Sequence, residues 1–209
     1  MAADPTYITV EGRASAEIVE KKSRFIAQVA HVETDEEAVA FLEEVRAAHR
    51  MARHNVYAYV LRAGGRMRYS DDGEPQKTAG LPTLEVVRHA GISDVAIVTT
   101  RYFGGILLGT GGLVRAYTQS AQAALDAARL VAYSRCVDME VELPYSFYEQ
   151  ALRIVEAHGA KVLDTSFTDR VALSLRMLAE AAPPLRTALT ELTRAEAFIL
   201  ESEPLDAPF

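Results

Sequence analysis

The amino-acid sequence predicts an α+β protein of two consecutive units, an α/β unit ending near residue 133 and a second unit of βαββαβ order. Three observations lead there. Strand-like and helix-like runs alternate through the first 130 residues, and one of them, Val95 to Val98, is apolar throughout, as a strand covered on both faces is. From Val137 onward a strictly alternating strand, a helix, two strands, a proline-opened helix and a last strand follow one another. The charge balance changes at the same place: residues 1–135 hold 16 Lys/Arg against 16 Asp/Glu, and residues 136–209 hold 6 against 13.

In the first unit, Tyr7–Val10 and Phe25–Val29 read as antiparallel strands separated by charged turns. Thr34 with Glu37 forms a capping box, and Ala38, Phe41, Leu42 and Val45 repeat on one helical face. Asn55–Leu61 is a Val/Tyr-rich strand, and Gly64-Gly65 turns it into a second at Arg66–Tyr69. After the polar loop Ser70–Lys77 comes a helix that tolerates Pro82 in its first turn and ends at Gly91. The strand Asp94–Thr100 leads into a glycine-rich segment, and the alanine-rich stretch from Gly112 to Val131 reads as a helix with Leu113, Tyr117, Ala121, Ala124 and Ala128 on one stripe.

In the second unit, Val137, Met139, Val141 and Leu143 alternate with acids, predicting a strand with one wet face. Ser146 and Glu149 form a capping box for a helix closing at His158-Gly159. Lys161–Phe167 and Val171–Met177 are strands around the Asp169-Arg170 turn, Pro183-Pro184 opens a helix through Leu192, and Ala197–Leu200 is the last strand. The expected domains are 1–133 and 136–209, the second ferredoxin-like, a fold that decides no function by itself.

Composition excludes several classes. The chain has 209 residues, 49% apolar and 24% charged, which suits globular domains without staples. Its single cysteine, Cys136, rules out an intrachain disulfide or a multi-cysteine zinc site and reads as a buried, inert thiol of a reducing compartment. Met1–Val10 has no basic-then-apolar leader and no later run has the ~18 apolar residues of a membrane helix, so a cytoplasmic protein without membrane contact is expected. Net charge is −7, yet residues 46–115 hold ten Lys/Arg against five acids. Charge alone leaves two readings open there: an anionic ligand, or solvated arginines on unrelated faces.

The strongest local signal is Arg101-Tyr-Phe-Gly-Gly-Ile-Leu-Leu-Gly-Thr-Gly-Gly-Leu-Val-Arg115. Gly104, Gly105, Gly109, Gly111 and Gly112 lie between a buried strand and a helix, where free N–H groups and the helix dipole favour an anion and where Arg101 and Arg115 offer phosphate contacts. The pattern is neither a P-loop nor a dinucleotide fingerprint, and close packing of strand, turn and helix accounts for the glycines as well. Ser70-Asp-Asp-Gly-Glu-Pro75 sets three carboxylates around Gly73. A turn explains it, magnesium is the sharper alternative, and pairing of these acids with the arginines of the glycine-rich segment is a third. His49 and His54 have no metal-ligand spacing, although His54 has the chemistry of a general base. No cofactor or metal is expected.

Lys22-Ser-Arg-Phe-Ile26, Ala52-Arg-His54, Ser70–Pro75 with Thr78-Ala-Gly80, and Arg101–Tyr117 occur in one order within residues 15–130 and together resemble the YigZ/IMPACT family, with the second unit similar to the additional domain of bacterial members. The resemblance implies a first unit shaped like the second domain of a small-subunit ribosomal protein and domain IV of elongation factor G, and a second unit like that factor's domain V. It also implies a link to translation, because eukaryotic members restrain a starvation-activated translation kinase by competing for its ribosome-associated activator. That mechanism is not expected to transfer, since this sequence opens directly on the shared domain. Gln76-Lys77 departs from the small residues common there, which weakens a metal reading of the loop.

What carries over is an anion- or nucleic-acid-binding surface of Arg53, His54, Arg101, Tyr102, Gly104, Gly105, Gly109, Gly111, Gly112 and Arg115, beside the motif loop Asp71, Asp72, Gly73 and Glu74. Tyr57, Tyr59, Tyr69 and Tyr102 are candidate base-stacking rings or ordinary core tyrosines. The expected function is a non-enzymatic regulatory or accessory factor of translation that binds RNA or a ribosome-associated protein. A protein-interaction module without nucleic acid ranks second, and an enzyme acting on a small phosphorylated ligand third.

Overall fold

The computed structural model describes residues 6–209, so residues 1–5 of the first expected domain lie outside it. Among the described residues the chain divides into two compact units, residues 7–131, and residues 132–209 together with Thr6. The first contains β1 (Tyr7–Val10), β2 (Arg13–Glu20), β3 (Ser23–His31), α1 (Asp35–Ala48), β4 (His54–Leu61), β5 (Arg66–Ser70), α2 (Gly80–His89), β6 (Val95–Tyr102) and α3 (Thr110–Asp126). Five of the strands form an antiparallel sheet in the order β2-β3-β6-β4-β5.

Strand β6 explains why its sequence is apolar without alternation. Ala96 and Val98 face Phe41, Leu42 and Val45 of α1, while Val95 and Ile97 face the other way, toward Leu84 and Val87 of α2 and Ala121 and Ala124 of α3. Every residue from Val95 to Arg101 is buried. The mixed α+β class is the observed one.

Three local expectations change. Residues 13–20, expected within charged turns, form β2, because Ala14, Ala16 and Ile18 turn inward between more exposed neighbours and the strand pairs with β3 residue by residue. Helix α3 ends at Asp126 rather than Val131, since the chain beyond it is drawn into strand pairing: Glu11 N–H donates to the Arg129 carbonyl, and β7 starts at Leu130. At α1 the Thr34 hydroxyl accepts from Glu37 N–H, but the Glu37 carboxylate reaches back to the N–H of Glu33 and not to that of Thr34.

The β2–β3 hairpin closes with only Lys21 and Lys22, at φ of 46° and 67°. Both sit in the left-handed region, which costs a residue with a Cβ about 1 kcal/mol or more relative to glycine.

The second unit contains β7 (Leu130–Leu143), α4 (Tyr148–Ala157), β8 (Lys161–Phe167), β9 (Val171–Leu178), α5 (Ala182–Leu192), β10 (Phe198–Glu201) and β11 (Leu205–Pro208). The strand order β10-β7-β9-β8, antiparallel throughout, is the ferredoxin-like arrangement. Val137, Met139, Val141 and Leu143 with Leu173, Leu175 and Met177 form one side of the core, closed by Ala151, Val155, Leu185 and Leu189 of the helices. Cys136 is buried and free.

The second capping box does not form: a short 3-10 turn, Tyr145–Phe147, precedes α4, and Phe147 stands at the N-cap without a side-chain bond. Strand β11 was not expected, because Asp206 and Pro208 are poor strand formers. Its pairing with Tyr133–Cys136 at the sheet margin decides the matter.

Across β7 and β9, Arg176 donates two hydrogen bonds to the Asp138 carboxylate at 2.7 and 2.8 Å. These bonds hold the Asp138 carboxyl below its ordinary value, against a smaller opposing effect of burial. A carboxyl depressed in the folded state contributes stability above its unfolded value of ~3.9, and that contribution is lost as pH falls through the folded value. Urea midpoints measured at pH 6 and pH 3 should therefore fall more for the parent than for Asp138→Asn. Equal losses would assign the pair no share in acid sensitivity.

Candidate functional site

The register of the first sheet brings the motif segments to one end. Phe25 of β3 and His54 of β4 both stand opposite Arg101 of β6, and Arg24 stands opposite Tyr102. The loops 21–22, 49–53, 71–79 and 103–109 all leave the sheet there.

Arg101 turns into the unit on the side of α3. It is 6% exposed, and its Nη1 donates to Glu74 Oε1 at 2.7 Å, with Ser23 Oγ at 3.5 Å from Nη2. The Tyr117 hydroxyl donates to the same Glu74 oxygen at 2.8 Å. The guanidinium lies between the rings of Phe25 and Phe103, at 5.4 and 5.6 Å from their centroids. Burial pushes the Tyr117 hydroxyl well above its ordinary pKa, and the neighbouring Glu74 carboxylate adds to that rise.

The motif loop is tied down one carboxylate at a time. Asp71 accepts from the N–H groups of Lys77, Ala79 and Gly80 at 2.8, 3.0 and 2.8 Å, and so caps α2, whose own N-cap residue is Ala79. Asp72 accepts from Asn55 N–H at 2.6 Å and from Arg46 at 3.1 Å. His54 Nδ1 donates to the Asp72 carbonyl at 2.8 Å, and Gly73, at φ 84°, lies against the His54 ring. All three carboxylates thus have protein partners. Among the described residues no group of three His, Cys, Asp or Glu side chains is placed to hold a metal ion.

The glycines divide by task. A Cβ on Gly104 would fall 2.0 Å from the Lys22 carbonyl carbon, and Gly109, the N-cap of α3, has φ 73°. Gly105 is at φ 85°, and a Cβ on Gly112 would meet Leu108 at 3.0 Å. Gly105 and Gly109 are held by their positive φ with open space around them, whereas Gly111 combines room, its nearest neighbour being the Arg115 guanidinium at 3.8 Å, with a φ outside the left-handed region.

The surface left at this end is part cationic and part apolar. Arg53, Arg115, Lys21 and Lys22 are exposed and carry no ion pair within the described residues, while Phe103, Ile106 and Leu107 are 56%, 42% and 82% exposed. Tyr102 is half-buried, its hydroxyl 3.0 Å from His49 Nδ1 and its ring under the Arg24 guanidinium, which is itself paired with Glu17.

Of the residues singled out from sequence, Arg53, Tyr102, Arg115 and the glycines border this surface, whereas Arg101 is withdrawn from it by burial on Glu74. Tyr59 is buried and bonded to Asp35, so its ring is a core ring. Lys21, Phe103, Ile106 and Leu107 were missed as surface residues. Nothing in their spacing separates an apolar loop residue turned outward from one turned inward.

A profile of the Impact N-terminal domain matches residues 21–125, and a profile of a domain of unknown function, DUF1949, matches residues 141–196. The IMPACT family member YvyE of Bacillus subtilis is 33% identical over 199 residues, which are 95% of this chain and 92% of that protein. The chain belongs to the IMPACT family. A eukaryotic relative, the protein IMPACT homolog of Dictyostelium discoideum, is 37% identical over 97 residues, 44% of this chain and 28% of that protein. A crystal structure of a hypothetical protein is 30% identical and superposes with a TM-score of 0.62 over 96% of this chain and 99% of its own. The Impact domain spans every motif gathered at the sheet end, from Lys22 to Tyr117.

Proposed function

We propose that this IMPACT family chain is a non-catalytic, translation-associated regulatory factor whose contact surface is the sheet end formed by loops 21–22, 49–53 and 103–109. One observation carries the reading. The motif's carboxylates Asp71, Asp72 and Glu74 are spent on internal bonds and Arg101 is buried on Glu74, while Phe103, Ile106 and Leu107 stand exposed beside Lys21, Lys22, Arg53 and Arg115. A phosphotransfer site needs its carboxylates free for a metal, whereas a binding surface needs what this end leaves outside. The expected partner is RNA or a ribosome-associated protein. Family membership supports the link to translation, since the motif segments resemble those of eukaryotic members that act there. The division into domains 1–133 and 136–209 belongs to the same proposal, with the surface on the first.

A second reading, an interaction module for a protein alone, is favoured by the exposure of Ile106 and Leu107, since such apolar groups become hot spots when buried by a partner. Immobilised full-length chain, exposed to extract of its own cells with and without nuclease, separates the two. Capture of RNA that nuclease abolishes supports the first, and a nuclease-resistant protein partner supports the second. Leu107→Asp should reduce capture about tenfold or more, because a buried leucine contributes about 1.5–3 kcal/mol. Undiminished capture by that variant would put the surface elsewhere.

A further inference from the structure

The tip of the β2–β3 hairpin is built from an unfavourable pair of residues. A two-residue loop with both φ values positive is the type I′ turn, for which Asn-Gly is the comfortable sequence, yet here it is Lys21-Lys22 at 46° and 67°. Neither side chain is held by the unit: both are exposed, and neither makes an ion pair or side-chain hydrogen bond within the described residues. The backbone, by contrast, is seated firmly, with the Lys22 carbonyl so close to Gly104 that no side chain fits between them. The strained residues therefore gain no ion pair or side-chain hydrogen bond among the described residues that Asn-Gly would lack. What only the lysines supply is two ammonium groups, delivered at the edge of the glycine-rich loop.

Their surroundings define what they fit. Arg50, Arg53, Lys77 and Arg115, on the loops of this end, are further exposed cations without an ion pair among the described residues, and Phe103 is an exposed aromatic ring on the loop the hairpin touches. Glu20, the acid next to the tip, is half-buried in β2, and the motif acids are bonded internally. Cations without acid partners beside an accessible ring match a chain of phosphates carrying unpaired bases, since phosphates pair with ammonium groups and a free base stacks on an aromatic face. We infer that the Lys21-Lys22 tip is a clamp for the phosphate backbone of single-stranded RNA, retained at the expense of hairpin stability. This rests on the binding surface proposed above and names its ligand.

The test uses the full chain and a fluorescein-labelled 20-nucleotide oligouridine, with anisotropy titrations from 50 to 200 mM KCl and a thermal melt of each protein. Lys21→Asn with Lys22→Gly should raise the Tm by about 4 °C, because it relieves two strained residues. It should also weaken binding about tenfold at 50 mM salt and make the log–log salt slope shallower by about 1.4, two contacts at ~0.7 each for a single strand. Lys21→Arg with Lys22→Arg should keep the affinity and the slope without raising the Tm. A higher Tm with unchanged affinity and slope would overturn the clamp while leaving the surface reading intact. Weaker binding without a rise in Tm would overturn the claim that stability is sacrificed. Failure of the parent chain to bind the oligonucleotide at 50 mM salt would overturn RNA as the ligand, whatever protein the extract experiment captures.

Discussion

Arg101→Ala should destabilise the first unit by about 3–5 kcal/mol, because it leaves the Glu74 carboxylate, whose side chain is 4% exposed, with only the Tyr117 hydroxyl as partner. Against total stabilities of about 5–15 kcal/mol for a domain, that is a large fraction, and the urea midpoint should fall accordingly. Tyr117→Phe should cost less, about 1 kcal/mol, since it removes one hydrogen bond and keeps the ion pair. Arg115→Ala, at an exposed and unpaired position, should stay within about 0.5 kcal/mol of the parent. Replacing both members of the buried pair, Arg101→Met with Glu74→Leu, should recover most of the loss, because the dominant cost lies in the charge left alone. If Arg101→Ala melted with the parent and lost only ligand affinity, the arginine would belong to the binding surface and the ion pair would have no structural weight.

Gly104→Ala is the second large effect expected. Its Cβ would lie 2.0 Å from the carbonyl carbon and 2.1 Å from the oxygen of Lys22, and backbone of a two-residue hairpin has nowhere to move without pulling β2 from β3. A loss of about 3 kcal/mol is expected, at the upper end for overpacking. Gly80→Ala should behave in kind, its Cβ meeting the Ser70 carbonyl oxygen at 2.6 Å. Gly111→Ala is the control. It has helical backbone and 3.8 Å to the end of a flexible arginine, so it should be neutral or stabilising by up to about 1 kcal/mol. Melting temperatures of the three variants check the order. A Gly104→Ala protein as stable as the parent would mean that the loop and hairpin do not touch in solution.

The glycine pair shows how far a sequence can be read. Gly104 and Gly111 look alike in the string Arg101–Arg115, yet one marks a collision between segments 81 residues apart and the other an open helical turn. The same limit applies to the acids of Ser70–Pro75. Their density was visible, and pairing with the arginines was among the readings, but selecting Glu74 for Arg101 required β6, α3 and the loop to be in place.

Periodicity carries the helices and strands because burying one face is a local demand on the chain. So the strictly alternating β7 and the unbroken apolar β6 were legible, and the order of elements specified a ferredoxin-like second unit. β2, β11 and the end of α3 were not, because their residues are weakly patterned and take their state from a partner strand far away in sequence. By itself the sequence determined the class of fold, the order of elements and the motif segments that resemble the YigZ/IMPACT family. Only the tertiary structure decided which of those residues face water. A side chain's exposure depends on what distant segments lay over it, and that placement withdrew Arg101 into the unit while leaving Lys21, Lys22, Phe103 and Leu107 outside.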